Sequence, residues 1–84
     1  MADLKGLIEA VARALADQPD AVSVRESDRR GTTVYELQVA SGDLGRVIGR
    51  QGRTAAALRT LLSTAAEADD QRVSLDIRDQ TGRS

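Results

Sequence analysis

The sequence predicts an α+β fold in which three helices pack on one face of a three-stranded sheet. Apolar residues recur with the period of a helix in three segments, and they alternate with polar residues, as in a half-buried strand, in three others. Along the chain these segments follow the order α-β-β-α-α-β. Hydrophobic residues make up 40% of the 84 residues, enough for one two-layer core, so we expect a single domain over residues 1–79.

The first half of the chain predicts one helix and a hairpin. The helix is expected at about 3–16, with Asp3 as its N-cap and Pro19 ending the segment. Its apolar residues share one face at helical spacing: Leu4, Leu7, Ile8, Val11 and Leu15. Two alternating runs follow, at about 21–27 and 33–40, and a turn containing glycine joins them. Their alternation predicts a sheet with one buried and one solvated face.

The second half predicts two helices and a last strand. A short helix is expected at about 42–48, with Ser41 as its cap, Asp43 in its first turn and Gly49 at its end. A longer amphipathic helix is expected at about 53–68. Alternating apolar residues then predict the third strand: Val73, Leu75 and Ile77. Because two helices separate the second strand from the third, we expect these two strands to be parallel.

Composition excludes several classes of function. Cysteine and histidine are absent, which removes disulfides, thiolate nucleophiles, histidine bases and the usual zinc ligands. No pair of carboxylates has a spacing that suggests catalysis, so we predict no enzyme activity, no cofactor and no metal site. No apolar run is long enough to span a membrane and no signal peptide opens the chain, so a cytoplasmic protein is expected. Residues 80–84 have no apolar side chain to bury and are expected to fray.

Positive charge is concentrated in one segment. The formal net charge of the chain is −1, but no acidic residue lies between Asp43 and Glu67. Four arginines fall in that interval: Arg46, Arg50, Arg53 and Arg59. The segment therefore carries +4 and leaves −5 for the rest, a local basic patch of the kind that attracts nucleic acid. The alternative, a solvated helix face with no ligand, remains open at this point.

The most informative motif is a Gly-x-x-Gly turn between the two predicted helices. Gly49 and Gly52 bracket Arg50 and Gln51. Such a turn can bring backbone N–H groups close to a phosphate, because glycine has no Cβ in the way. The turn alone is equally compatible with a simple helix–helix connection. A nucleotide-binding loop is not indicated, because no Gly-Lys pair occurs and the glycines lack the Gly-x-Gly-x-x-Gly spacing.

The residues around this turn resemble the signature of KH domains. Residues 45–53 read Gly-Arg-Val-Ile-Gly-Arg-Gln-Gly-Arg, and Ala55 and Leu58 follow at helical spacing. The element order matches the type II KH fold, and over roughly residues 3–79 the chain is similar to the small bacterial single-KH proteins called KhpA. The resemblance implies single-stranded RNA binding without catalysis. It also implies a post-transcriptional regulator or RNA chaperone linked to cell shape and division, with homodimers and heterodimers with a larger KH-containing RNA-binding protein.

The resemblance implies an RNA site at the turn. Its expected backbone-binding residues are Gly49, Arg50, Gln51 and Gly52, with Arg46 and Arg53 beside them. Three apolar residues are candidates for the floor of a groove: Leu44, Val47 and Ile48. Val47 and Ile48 are adjacent and cannot share a face, so one of them is expected to enter the core. Arg59 lies about 240° around the helix from Arg53 and is expected to be solvated or structural.

Two features favour weak or selective binding and keep a rival open. No aromatic residue lies near the turn, so bases cannot stack on rings there. Glu67, Asp69 and Asp70 precede the last strand, on a loop expected to face the groove, where they would repel phosphate. The rival is a small protein-interaction module whose main role is dimerisation, with RNA binding secondary.

Overall fold

The structure is a computed structural model and describes residues 3–81. Its helices and strands follow the predicted order: α1 (Leu4–Leu15), β1 (Ser23–Arg29), β2 (Thr32–Val39), α2 (Leu44–Ile48), α3 (Arg53–Ala68) and β3 (Arg72–Asp79). Single turns of 3₁₀ helix lie at Pro19–Ala21, Ser41–Asp43 and Arg50–Gly52. In this described part of the chain, no helix is both long enough and apolar enough to cross a bilayer.

The sheet has the order β1-β2-β3. β1 pairs antiparallel with β2, and the two-residue connection of Arg30 and Gly31 has positive φ at both positions, 54° and 85°. This geometry matches the twist of a tight hairpin and confirms the predicted hairpin. β2 pairs parallel with β3, with Thr32 opposite Arg72 and Val39 opposite Asp79, which confirms the predicted parallel pair. β3 is therefore an edge strand of this sheet.

The core lies between the three helices and one face of the sheet. It is almost wholly aliphatic, as predicted, and Tyr35 is its only aromatic residue. The sheet contributes alternate positions and the helices contribute one stripe each: Leu4, Ile8, Ala12, Val22, Val24, Tyr35, Leu37, Val39, Val47, Ala55, Leu58, Leu62, Leu75 and Ile77. The α1 stripe is narrower than predicted, because Leu7 and Leu15 are each 38% exposed.

The start of α2 differs from the prediction. Ser41 does not cap the helix, because Ser41–Asp43 form a separate 3₁₀ turn without a side-chain cap. Asp43 turns into the protein and is 1% exposed. Its two carboxylate oxygens accept hydrogen bonds from the backbone N–H groups of Asp17 (3.1 Å) and Gln18 (2.9 Å). The carboxylate therefore ties the chain after α1 to the start of α2, instead of stabilising the first turn of its own helix.

The ends of the strands shift by small amounts from the predicted positions. β1 begins at Ser23 and not near 21, because Pro19–Ala21 form a 3₁₀ turn. After β3, Asp79 accepts hydrogen bonds from the backbone N–H (3.0 Å) and the Oγ1 hydroxyl (2.6 Å) of Thr81. Of the tail that was expected to fray, residues 82–84 lie outside the described residues.

Candidate nucleic-acid interface

The Gly-x-x-Gly turn joins α2 to α3 through left-handed backbone. Gly49, Gln51 and Gly52 have φ values of 82°, 56° and 73°. The Gly49 N–H donates to the Gly45 carbonyl at 2.9 Å and closes α2, and the Gly52 N–H donates to the Gly49 carbonyl at 3.1 Å. The chain reverses within four residues and starts α3 at Arg53. Glycine adopts such angles at low cost, so both glycines suit this turn, whereas Gln51 holds its positive φ at some cost.

The two glycines have different surroundings. A Cβ at Gly49 would collide with Oγ1 of Thr54 and would lie 2.8 Å from its Cβ. A Cβ at Gly52 would have no atom within 4 Å. Gly49 is therefore required by packing inside the protein, whereas Gly52 presents its backbone to open space. Of the two glycines, only Gly52 has unoccupied space next to its Cα, which a ligand backbone needs for close approach.

The polar side chains of the turn are exposed. Arg50 and Gln51 stand at its tip, and Arg53 donates from Nη2 to Oε1 of Gln51 at 3.3 Å. This bond leaves the amide nitrogen of Gln51 as a donor. Within residues 3–81, neither Arg50 nor Arg53 forms an ion pair with a carboxylate. Two guanidinium groups with uncompensated charge thus lie beside the open backbone of Gly52.

The other two arginines of the basic segment already have partners. Arg46 Nε lies 3.7 Å from Oδ1 of the buried Asp43, so part of its charge is compensated. Arg59 donates from Nε (3.4 Å) and Nη2 (3.3 Å) to the carbonyl oxygen of Leu75. Arg59 therefore links α3 to the edge strand β3, the structural role that was one of the two expected for it.

A groove runs from the turn along the seam between α3 and β3. It has a volume of about 280 Å³ next to the turn, and its walls are Ile48, Gly52, Ala55, Arg59, Asp76 and Ile77. A second depression of about 200 Å³ continues along the same seam, again bordered by Arg59. The floor is aliphatic and the rim is charged, so the groove can take a flat apolar group while polar atoms stay at its edge.

The three apolar residues predicted to line the groove occupy different environments in the structure. Val47 is 1% exposed and packs in the core, so it is not part of the groove floor. Ile48 is half-buried and borders the groove. Leu44 packs against the core from one turn earlier in α2 and is not among the residues that border the groove. Sequence alone left this choice open, because a five-residue helix spans fewer than two turns and its apolar spacing is not repeated.

The expected acidic residues lie far from the turn. Glu67, Asp69 and Asp70 are at the C-terminal end of α3, roughly 22 Å along the helix axis from the turn. Glu67 and Asp70 border a further depression at that end of the seam between α3 and β3, and Asp69 does not border it. The carboxylate that borders the groove next to the turn is that of Asp76, and it accepts a hydrogen bond from Arg78 Nη2 at 2.8 Å. Sequence reasoning missed Asp76, although its place between two apolar β3 residues puts it outside the core.

Comparisons with known proteins relate the chain to one family. A model of the family described as KhpA/KhpB, KH domain, matches residues 5–77. The RNA-binding protein KhpA of Treponema pallidum (strain Nichols) is 51% identical over 73 residues, which cover 87% of this chain and 91% of that protein. The RNA-binding protein KhpA of Halalkalibacterium halodurans is 49% identical over 76 residues, which cover 90% of this chain and 100% of that protein.

Among solved structures, the crystal structure of Era in complex with MgGDPNP and nucleotides 1506-1542 of 16S ribosomal RNA has a similar fold. The TM-score is 0.60 at 15% sequence identity, and the match covers 90% of this chain and 29% of the Era chain. At this identity the likeness concerns the fold alone. The order α-β-β-α-α-β, with three helices on one face of the sheet, is the type II KH arrangement that the sequence predicted. The chain belongs to the KhpA/KhpB family of KH-domain proteins.

Proposed function

We propose that this chain is a single KH domain, spanning residues 1–79, that binds single-stranded RNA and catalyses no reaction. The proposal is supported by the names of its relatives, which are RNA-binding proteins of nearly the same length. The observation that carries it is the turn itself. The open backbone of Gly52 lies beside the exposed side chains of Arg50 and Gln51, at the head of a groove with an aliphatic floor.

In this proposal the turn holds the sugar-phosphate backbone. Arg50 and Arg53 supply positive charge and bidentate donors, Gln51 supplies a neutral donor, and Arg46 adds a partly compensated charge from the preceding helix. The first turn of α3 contains no acidic residue and no side-chain cap. A phosphate there would supply the negative charge that favours a helix N-terminus.

The bases would lie in the groove, against Ile48, Ala55 and Ile77. No aromatic side chain is present near the turn, so the stacking contribution of about 1–3 kcal/mol per base is missing and modest affinity is expected. With about three phosphates contacted, affinity for a short strand should fall roughly tenfold to twentyfold between 50 and 200 mM salt.

The test is a charge-reversal variant of the turn, Arg50→Asp with Gln51→Asp. Both side chains are exposed, and aspartate tolerates the positive φ of position 51, so unfolding should be nearly unchanged. RNA binding measured by fluorescence anisotropy should be lost. A matched control, Lys5→Asp with Arg13→Gln, changes the net charge equally on α1 and should bind as the wild type does. Normal binding by the turn variant would refute the assignment.

The second candidate is a dimerisation module, and one observation favours it. Leu7, Val11 and Leu15 follow one another at four-residue spacing on α1, and both leucines are 38% exposed. Such a stripe suits a homodimer interface, or a heterodimer with a larger KH-containing RNA-binding protein. Light scattering of Leu7→Ser with Leu15→Ser tests it, with Leu61→Ser as the control because Leu61 is 56% exposed on another helix. A dimer lost only in the α1 variant supports this candidate.

The cellular role is part of the proposal and is suggested by the resemblance to the family. We place the protein in the cytoplasm as a post-transcriptional regulator or RNA chaperone linked to cell shape and division. Comparing RNAs that copurify with the wild type and with the turn variant tests this role. Enrichment of transcripts for cell-envelope and division proteins, lost in the variant, is the expected result.

A further inference from the structure

The face of the sheet that points away from the helices carries four arginines. Side chains alternate along a strand, so residues between the buried positions point to this side, which we call the open face. Its arginines come from both edge strands: Arg25, Arg29, Arg72 and Arg78. Its only carboxylates among these strand positions are those of Glu36 and Asp76. The open face therefore has an excess of two positive charges on a chain whose net charge is −1.

Two of these arginines form no ion pair within the described residues. Arg25 lies opposite Glu36 in the register, and Arg72 borders a depression together with Glu67 and Asp70. Arg29 Nη2 lies 3.8 Å from Oε1 of Glu36, and Arg78 Nη2 lies 2.8 Å from Oδ2 of Asp76. Arg25 and Arg72 form no ion pair within residues 3–81. Thr32 of β2 pairs with Arg29 on one side and with Arg72 on the other. The Cα atoms of the two arginines are therefore about 10 Å apart, and the residue between them carries no charge.

The remaining surface of the open face is small and polar. It consists of Ser23, Ser27, Thr32, Val34, Gln38 and Ser74. Near one end it forms a depression of about 520 Å³, bordered by Arg25, Gln38 and Arg78 and also by the carboxylates of Glu36 and Asp79. Protein interfaces usually need a buried apolar or aromatic centre, and this face offers only Val34. Guanidinium, hydroxyl and amide donors instead match the oxygens of a phosphate backbone.

The open face is continuous with the groove. Asp76 borders the groove, and its partner Arg78 borders the depression on the open face. The two surfaces thus meet along β3, the edge strand of the sheet. An RNA chain that leaves the groove across this edge of the sheet reaches Arg78 first and then the other arginines.

We propose that the open face binds the sugar-phosphate backbone of the same RNA, beyond the nucleotides held in the groove. The proposal rests on the RNA-binding function proposed above. A KH groove holds about four nucleotides. Short RNA should therefore occupy the turn and groove alone, whereas longer RNA should also reach the open face.

The test uses Arg25→Gln with Arg72→Gln, because these two arginines hold no ion pair that folding would lose. Anisotropy titrations compare five-nucleotide and twenty-nucleotide single-stranded RNA of the same composition. Affinity of the variant for the longer RNA should fall about tenfold at 0.1 M salt, and the slope of log affinity against log salt should become shallower by about 1.4. Affinity for the short RNA should not change.

The control variant Lys5→Gln with Arg13→Gln removes the same charge from α1 and should bind both RNAs as the wild type does. The proposal would be overturned by unchanged binding of the longer RNA, by an equal loss for the short RNA, or by an equal loss in the control. A change of oligomeric state without RNA would also overturn it, because the face would then be a protein interface. If the wild type binds neither RNA, the proposed function itself fails, and this inference fails with it.

Discussion

Gly49 packs directly against Thr54, so the first glycine of the turn is fixed by the protein itself and not by a ligand. A Cβ at position 49 would collide with the Thr54 hydroxyl, whereas a Cβ at Gly52 would meet nothing within 4 Å. The two glycines therefore have different roles. Gly49 lets α2 and α3 approach each other, and Gly52 leaves space where a phosphate backbone is proposed to lie.

The first prediction concerns stability at these two positions. Gly49→Ala should lower the free energy of unfolding by about 2–4 kcal/mol, from its positive φ and the collision with Thr54. Gly52→Ala has only the backbone cost and should lose about 1–2 kcal/mol. Urea unfolding of the two variants measures the difference. Equal losses would show that packing against Thr54 does not distinguish the glycines.

The second prediction concerns the buried carboxylate of Asp43. In Asp43→Asn one oxygen is replaced by an NH₂ group, so one of the N–H donors of Asp17 and Gln18 loses its acceptor. The free energy of unfolding should fall by about 1–3 kcal/mol, and that amide should exchange faster with solvent. Asp20→Asn is the control, because Asp20 is exposed in the same connection. If both variants unfold alike, the carboxylate does not hold α1 to α2.

The third prediction concerns alkaline pH. Burial, with the nearby charges of Glu26 and Asp3, raises the pKa of Tyr35 above its usual 10.0. Because the folded state holds the phenol proton more tightly than the unfolded state, this stabilisation is complete below pH 10 and is lost as the pH rises through the folded pKa. Tyr35→Phe should lack this loss. Phenolate absorbance should appear at lower pH in urea than in the folded protein, and identical titrations would contradict the prediction.

The fourth prediction concerns the acidic wall of the groove. Asp76→Asn removes a negative charge beside the proposed RNA path and releases Arg78, so affinity for short single-stranded RNA should rise about twofold to fivefold. Asp69→Asn, at the far end of α3, should have no effect. A loss of affinity in Asp76→Asn would mean that the carboxylate accepts a hydrogen bond from a base.

Long periodic segments could be predicted from the sequence with little error. The helix expected at about 53–68 is Arg53–Ala68, because four turns show the apolar period clearly. The parallel pairing of β2 and β3 followed from the two helices between them. Short and tertiary features could not be predicted. Ser41 was predicted to cap α2. Instead, the carboxylate of Asp43 accepts hydrogen bonds from backbone N–H groups 25 and 26 residues away, and Ser41–Asp43 form a 3₁₀ turn.

In the candidate site, too, the local feature could be predicted from the sequence and the tertiary features could not. The turn could be predicted from Gly49 and Gly52, because glycine is the residue that most readily adopts the positive φ angles of a tight turn. The walls of the groove were not evident, since they depend on where β3 lies against α3. This placement decides that Asp76 borders the groove and that Arg59 bonds to Leu75.

The central claim is that the turn at residues 49–52 grips single-stranded RNA, and an NMR titration tests it most directly. Amide chemical shifts of the labelled 9.0 kDa chain are followed as a five-nucleotide single-stranded RNA is added. The largest changes are expected at Arg50, Gln51, Gly52 and Arg53, with smaller ones along the groove at Asp76. Changes confined to α1, or no changes at low salt, would contradict the claim.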